Sequence, residues 1–315
     1  MEIQEKTSRE ETTRNETTKV NPTLFEQASA TTSPLRKNIF KCRDKELRLG
    51  TKTIIMGVLN LTPDSFYDGG KYTQTDKALK HVERMIEEGA DIIDIGGEST
   101  RPGSLGVSEL QECERIIPAI TEIHKRFDII LSVDTTKSGV ALEALKEGAS
   151  IINDISGFNF DETLAEVAAH YGAGVVLAHT SSRPKDMQHN TQYESLLQDV
   201  VKSLRTSIDI AQHWGIDKNS IIVDPGFGFG KTAEQNLILL KNLKELRELR
   251  KPILIGTSNK SFIGKTLSAG IDERLEGTAA TVAIGIINGA SIVRVHDVAQ
   301  MRRVSTMVDA VLNVN

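Results

Sequence analysis

From about Lys41 onward, short apolar and β-branched runs alternate with longer segments whose apolar residues recur at helical spacing. That alternation predicts repeated strand–helix units. The runs are TIIMGVL (53–59), DIIDIG (91–96), IILSV (129–133), SIIN (150–153), GVVLA (174–178), IIV (221–223), ILIG (253–256) and SIVRV (291–295), eight in all. Amphipathic stretches such as DKALKHVERMIEEG (76–89) and AEQNLILLKNLKELREL (233–249) lie between them. Eight parallel strands, each followed by a helix, close into a barrel of about 250 residues. The pattern therefore predicts an α/β fold, a (β/α)8 barrel of the TIM type, over residues 41–315. IFKCRDKELRLG, ahead of the first run, reads as a small hairpin covering the barrel's N-terminal end.

The first forty residues have a different pattern. They are rich in Glu, Thr, Asn and Ser and poor in large apolar side chains, too little to offset the entropy of ordering. Residues 1–40 are expected to form a disordered tail, with a short helix around TLFEQA as the one exception. The tail lacks the apolar centre of a secretory signal, and its acidic residues argue against a transit peptide. Over the whole chain of 315 residues, 39% apolar content suffices for a sizeable core, and the formal net charge of −5 gives no footprint for nucleic acid. No apolar stretch approaches the roughly 18 residues of a membrane span. Cys42 and Cys113 stand far apart without metal-ligand spacing, which suggests a reduced, cytoplasmic protein.

The functional signal lies in the polar residues that end each run. NLTPDSFYDGG, GESTRPGS, DTTK, DISG, HTSSRPKDMQ, DPGFGFGK, TSNKS and HD place polar side chains at one end of every predicted strand. In a barrel those ends meet at the C-terminal face, where such enzymes build their sites. A polar residue there is often only a helix cap, which is the plain reading of Thr135, Asp161 or Asp297 taken singly. Asp134, Asn153 and Asp224 are harder to dismiss. They are expected to project from three nonadjacent strands toward the barrel axis, where an unpaired carboxylate is costly.

Two carboxylates and an amide converging in a dry pocket suit a flat heterocycle with several N–H donors and a carbonyl, such as a reduced pterin. Lys260, Arg294 and His296 add positive charge at the same mouth. With Asn60 they suit an anionic leaving group held with a divalent metal. Arg294 and His296 are two apart and so share one side of a strand. His179, also at a strand end, is read equally as structural or functional.

DPGFGFGKT (224–232) looks like a nucleotide loop and fails the count. Pro225 stands where a P-loop needs its first glycine, and Gly226, Gly228 and Gly230 lack the spacing of a dinucleotide fingerprint. Its glycines are better suited to a sharp turn and a close backbone approach to a ligand.

Taken together, IIMGVLNLTPDSFYDGG, ADIIDIGGESTRPGS, LSVDTTK, GASIINDISG, IIVDPGFGFGKTAEQN, GTSNKSFIG and EGTAATVAIGIINGASIVRVHDV resemble, in order, the dihydropteroate synthase family of folate biosynthesis. The resemblance covers residues 40–312. It implies displacement of pyrophosphate from 6-hydroxymethyl-7,8-dihydropterin diphosphate by 4-aminobenzoate, giving 7,8-dihydropteroate, in a cytoplasmic homodimer that is a sulfonamide target. Carried over by residue, Asp134, Asn153, Asp224 and Lys260 match the pterin pocket, lined by Phe229. Asn60, Arg294 and His296 match the diphosphate site, where Mg²⁺ is expected. Asp64, Phe66 and Asp68, with Thr100 and Arg101, match two mobile loops, while Phe66, Pro102 and Ser261 match the aminobenzoate pocket. The catalytic group so implied is Asp64, Asp68, Arg101, Lys260, Arg294 and His296.

The chain departs from the family pattern at two informative positions. Asn259 replaces the usual Arg of TSRKS, and with it a fixed charge and five donors. Ala178 replaces Met before the histidine and should open space beside the pterin. The competing expectations are a pterin-binding homologue without efficient synthesis, and a methyltetrahydrofolate-dependent corrinoid methyltransferase on a similar barrel.

Overall fold

The computed structural model describes residues 38–62, 71–101 and 103–314. The tail assigned to residues 1–40, with TLFEQA, and the roles expected of Asp64, Phe66, Asp68 and Pro102 fall wholly or mainly outside these residues. The first strand begins at Asn38, inside the segment assigned to the tail.

Strands β1 (Asn38–Cys42) and β2 (Lys45–Leu49) form the expected antiparallel hairpin. The barrel strands are β3 (Ile54–Asn60), β4 (Ile92–Gly96), β5 (Ile130–Asp134), β6 (Ile151–Asp154), β7 (Gly174–Ala178), β8 (Ile221–Asp224), β9 (Ile253–Ile255) and β10 (Ala290–Val295). They close in the order β10-β3-β4-β5-β6-β7-β8-β9. Each neighbouring pair is parallel. The helices are α1 (Lys71–Glu87), α2 (Glu109–Arg126), α3 (Ser138–Lys146), α4 (Thr163–Tyr171), α5 (Leu196–His213), α6 (Ala233–Lys241), α7 (Ser261–Leu267), α8 (Leu275–Ile287) and α9 (Val298–Asn313).

Local signals set several helix starts. Ser108 opens α2 and Thr232 opens α6 with reciprocal capping boxes to Gln111 and Gln235. Asp161 is indeed a cap, but principally for its neighbour: its Oδ2 accepts from Ser138 N at 2.7 Å, at the start of α3. The segment 233–249 is not one helix. It breaks at Asn242, whose side-chain amide donates to Ile238 O at 2.8 Å and satisfies a carbonyl at the helix end. A 3₁₀ segment, Leu243–Leu249, comes next.

The alternation of side chains along each strand produces two layers inside the barrel. In the lower layer Ile54, Met56, Ile92, Ile130, Ile151, Val176, Ile222, Leu254 and Ile292 form one buried cluster with Phe40, Cys42 and Leu49 of the hairpin. The hairpin is thus a plug, and Phe40 lies so close to β7 that a Cβ on Gly174 would stand 2.5 Å from its ring. Burial of this completeness makes truncation of a Phe cost about 3–5 kcal/mol. Two residues further along most of the strands, the inward positions turn polar or small: Asp94, Asn153, Ala178, Asp224, Gly256 and Arg294. The outward faces pack on the helices in a second, larger apolar cluster.

The chain end closes the seam. Asp309 of α9 accepts from Thr53 N and Thr53 Oγ1, both at 2.7 Å, fixing the entry to β3.

Candidate active site at the C-terminal mouth

Arg294 stands at the centre of the upper layer. Its Nε donates to Asp94 Oδ2 at 2.6 Å and its Nη2 to Asp134 Oδ2 at 2.7 Å, so one guanidinium spans β4 and β5 from β10. Asn153 Nδ2 donates to the same Asp94 oxygen at 3.0 Å. Asp94 Oδ1 is buried and has no hydrogen-bond partner among the described residues. Desolvation, opposed by Arg294, pushes the Asp134 carboxyl up to about 7. Burial likewise raises Asp224, although Gly226 N donates to its Oδ1 at 2.7 Å. The two carboxylates, conversely, hold the Arg294 guanidinium firmly protonated against its own desolvation.

Asp134, Asn153 and Asp224 do converge inside the barrel, but they do not come from three nonadjacent strands. β5 and β6 are neighbours, and Asp134 pairs in register with Asn153. Consecutive βα units of a barrel are adjacent, so their ends meet side by side. Asp94 completes the layer and was not singled out from the sequence. It hides inside the apolar run DIIDIG, and its only signal is parity with Ile92, which points inward.

Lys260, the residue preceding α7, reaches over this layer. Its Nζ lies 4.0 Å from the centre of the Phe229 ring, a cation–π contact. Burial and Arg294 push its ammonium down to about 8, opposed by Asp224 and Asp134. His296, at the outer edge, is open to solvent. Ser258 Oγ accepts from His296 N at 3.2 Å and lies 3.0 Å from its Nδ1, so the hydroxyl can donate to Nδ1, which places the ring proton on Nε2. Partial desolvation, then Arg294, Lys260 and Arg101, lower its pKa, so the ring is neutral at pH 7.

Asn60 ends β3 beside Asp134: a Cβ on Gly96 would be 3.7 Å from Asn60 Oδ1 and 3.7 Å from Asp134 Oδ2. Thr100 lines a cavity of about 190 Å³ together with Glu98, Glu112, Asp134, Ile155 and Arg183. Arg101 is exposed, as is Ser261 at the first position of α7, and among the described residues neither side chain hydrogen-bonds to the acid layer. Asn259 takes a left-handed conformation (φ 58°), which Asn tolerates better than most residues. Its N–H donates to Thr278 Oγ1 and its carbonyl accepts from Arg274, so helix α8 fixes its backbone.

The geometry explains the DPGFGFGK loop. Lys231 is buried, and its ammonium meets three acceptors: His179 Nδ1 at 2.9 Å, Gly226 O at 3.0 Å and Phe229 O at 3.1 Å. It pins the turn that presents Asp224 and Phe229, and it has no reach to spare for a phosphate. Gly226 passes so close to β7 that a Cβ would lie 1.9 Å from His179 O, at a φ of +72°. Desolvation brings the Lys231 ammonium down to about 7, despite Asp224. His179 is thereby placed as an anchor of the loop. Sequence spacing could not show a partnership between residues 179 and 231.

Among the described residues, no group of three His, Cys, Asp or Glu side chains is arranged to hold a metal. An all-protein metal cage is therefore absent from the described part of this mouth. Asn60, with its amide oxygen beside the acid layer, suits a Mg²⁺ whose remaining ligands are phosphate oxygens and water.

Comparison with known proteins gives a consistent result. A family model described as pterin binding enzyme matches residues 56–296. The chain is 49% identical over 273 residues to the dihydropteroate synthase of Clostridium beijerinckii, covering 86% of this chain and 99% of that protein. It is 51% identical over 262 residues to that of Bacillus subtilis, covering 83% and 90%. Among solved structures, a Clostridium difficile dihydropteroate synthase with pteroic acid aligns with a TM-score of 0.80 at 44% identity, over 84% of this chain and 98% of that one. A Xanthomonas albilineans dihydropteroate synthase with 4-aminobenzoic acid aligns at 0.82 and 38% identity, over 90% and 100%.

The buried His179 gives a pH signature. Burial, then Lys231, lower its pKa from 6.5 to about 2, so the folded chain refuses a proton that the unfolded chain accepts as pH falls through 6.5. Its contribution is present above pH 6.5 and is lost as pH falls. Lys231 and the Tyr193 ring face it. Denaturation midpoints from about pH 7.5 to 5 should therefore decline more steeply for the natural chain than for His179→Gln, by at most about 1.4 kcal/mol per pH unit. Parallel declines would contradict the buried neutral imidazole.

Proposed function

The chain belongs to the pterin-binding enzymes, among the dihydropteroate synthases, and on that premise we propose how its mouth carries the reaction. It is a transferase that joins 6-hydroxymethyl-7,8-dihydropterin diphosphate to 4-aminobenzoate, yielding 7,8-dihydropteroate and pyrophosphate. The observation that carries the residue assignment is the buried Asp94 Oδ1, unpartnered among the described residues, within a layer of acceptors. A buried acceptor left unpaired costs about 1–3 kcal/mol, and a heterocycle rich in N–H groups would satisfy it.

In this reading Asp134, Asn153 and Asp224, joined by Asp94, hold the pterin edge. Lys260 donates to its carbonyl side and Phe229 covers a face. Arg294 frames that pocket with Nε and Nη2, leaving Nη1 toward the leaving group. This enlarges the role expected for it at the diphosphate. His296 presents Nε2–H to the departing diphosphate, and Asn60 would hold Mg²⁺ there; a bound Mg²⁺ supplies charge neutralisation of the phosphate oxygens.

The aniline nitrogen is a weak nucleophile, so the bond from the pterin methylene to the diphosphate oxygen breaks early. The carbon–nitrogen bond then forms and the aniline proton leaves. Positive charge on the pterin methylene is met by the acid layer, with Asp64 and Asp68 assigned a supporting part. Thr100, Arg101 and Ser261, with Phe66 and Pro102, are assigned to aminobenzoate and to excluding water, which would otherwise capture the cation.

Assembly and cellular setting have physical support as well. Exposed Ile284 and Ile287 on α8 and Met307, Val311 and Leu312 on α9, two helices that pack together, are the surface we assign to a homodimer contact. Cys42 and Cys113 are both free thiols, which supports a reducing, cytoplasmic setting. Among the described residues no helix is long and apolar enough to cross a membrane.

With Mg²⁺ and the dihydropterin diphosphate, pyrophosphate release should depend on 4-aminobenzoate. Asp224→Ala and Lys260→Met should each lower turnover by about 10²-fold or more. Near-normal turnover in both variants would overturn the assignment, and pterin binding without any release would indicate a noncatalytic pterin-binding protein.

A further inference from the structure

A second ionic cluster lies beside the acid layer and takes no part in the mechanism above. Lys137 comes three residues after Asp134 and occupies the capping position of α3. Its side chain turns toward α2, where its ammonium contacts Glu98 Oε2 and Glu112 Oε2. Glu112 is fully buried in the first turn of α2, and its Oε1 has no hydrogen-bond partner among the described residues. Glu98 opens the loop that carries Thr100 and Arg101. The oxygen that touches Lys137 also accepts from Val107 N at 3.4 Å, near that loop's far end.

Stability alone does not account for this cluster. Two carboxylates share one ammonium, and a buried ion pair is often no more stabilising than apolar residues of the same volume. What the cluster does supply is a fixed relation among three elements. Lys137 joins the loop after β5, which carries Asp134, to the first turn of α2 and to both ends of the 98–107 loop. Within that loop Ser104 Oγ donates to Ser99 O at 2.5 Å and Ser104 N to Arg101 O at 3.0 Å, while Gly103 N donates to Pro184 O at 2.9 Å. Among the described residues of this loop, Glu98 is ion-paired to the pterin side through Lys137. Burial opposes the Lys137 charge, but the two carboxylates outweigh it and raise its pKa, so the ammonium stays charged across physiological pH.

We propose that Lys137 is a positioning residue for the condensation: its ammonium, held between Glu98 and Glu112, sets the Thr100–Arg101 loop over the Asp134 pocket, so that 4-aminobenzoate is aimed at the pterin methylene. This rests on the assignment of that loop to aminobenzoate. A group displaced by about 1 Å from its productive geometry can cost about 10²-fold in rate, which is the scale on which such a tether acts.

The test separates substrates. Steady-state kinetics with each substrate varied, pterin affinity by calorimetry, and the melting temperature are measured for Lys137→Met, Lys137→Arg and Glu98→Gln. Lys137→Met should raise KM for aminobenzoate by about tenfold or more with pterin affinity within about threefold of normal. Lys137→Arg, which keeps the charge, should recover most of the loss. If Lys137→Met fails to fold because Glu112 is left unpaired, Glu98→Gln keeps the buried Lys137–Glu112 pair and should still raise KM for aminobenzoate. Folded variants with unchanged KM for aminobenzoate, or with equal losses for both substrates, would overturn the proposal. Arg101→Ala serves as the reference. If it raises KM for aminobenzoate while the Lys137 and Glu98 variants do not, the tether alone is wrong; if it too has no effect, the loop assignment falls and the proposal falls with it.

Discussion

Everything at the mouth depends on one guanidinium shared by two buried carboxylates. Arg294 reaches from β10 to Asp94 on β4 and Asp134 on β5, at 2.6 and 2.7 Å. Each carboxylate taken alone into that interior would cost several kcal/mol, and even the paired arrangement is no more stable than a well-packed apolar layer. The barrel therefore bears an electrostatic cost at its C-terminal end that its N-terminal end avoids. The lower layer is aliphatic and sealed by Phe40, Cys42 and Leu49. Stability is concentrated below and chemistry above, on the same eight strands.

The division also explains why the site is made of acceptors. Arg294 consumes only Oδ2 of Asp94 and Oδ2 of Asp134, and Asn153 orients against Asp94. What remains is a rim of carboxylate oxygens aimed at a space that Lys260 overhangs from above Phe229. In the proposed reading, cations at the outer edge and acids at the inner edge create a field along the path of the reaction, with the pterin methylene assigned to the acids and the departing diphosphate to His296 and Arg294. Lys231 adds rigidity from behind by fixing the turn between Asp224 and Phe229, so the acceptor and the aromatic wall are set by one buried ammonium.

Much of this was legible in the sequence because barrels separate the two kinds of information along each strand. All eight apolar runs became barrel strands, with edges displaced by no more than one residue, and the hairpin before them formed. The polar ends gather at the C-terminal face of the barrel. Asp94 escaped because it interrupts an apolar run from within, and only its two-residue spacing from Ile92 marks it as inward. The neighbour relation of Asp134 and Asn153 was implicit in the strand order, since consecutive units of a barrel pair. Asn242 ended α6 through a side-chain bond to Ile238 O, a local competition that apolar spacing does not register. The Lys231–His179 and Lys137–Glu112 contacts join consecutive units packed side by side, and sequence spacing does not show which side chains meet across them.

The most direct test of the central claim is the affinity of a pterin for Arg294→Met, measured by calorimetry on protein whose circular dichroism confirms a folded barrel. Loss of the shared cation leaves two buried carboxylates without the partner that orients them, and pterin affinity should fall by about tenfold or more. A folded variant that binds the pterin as tightly as the natural chain would show that the acid layer does not depend on Arg294.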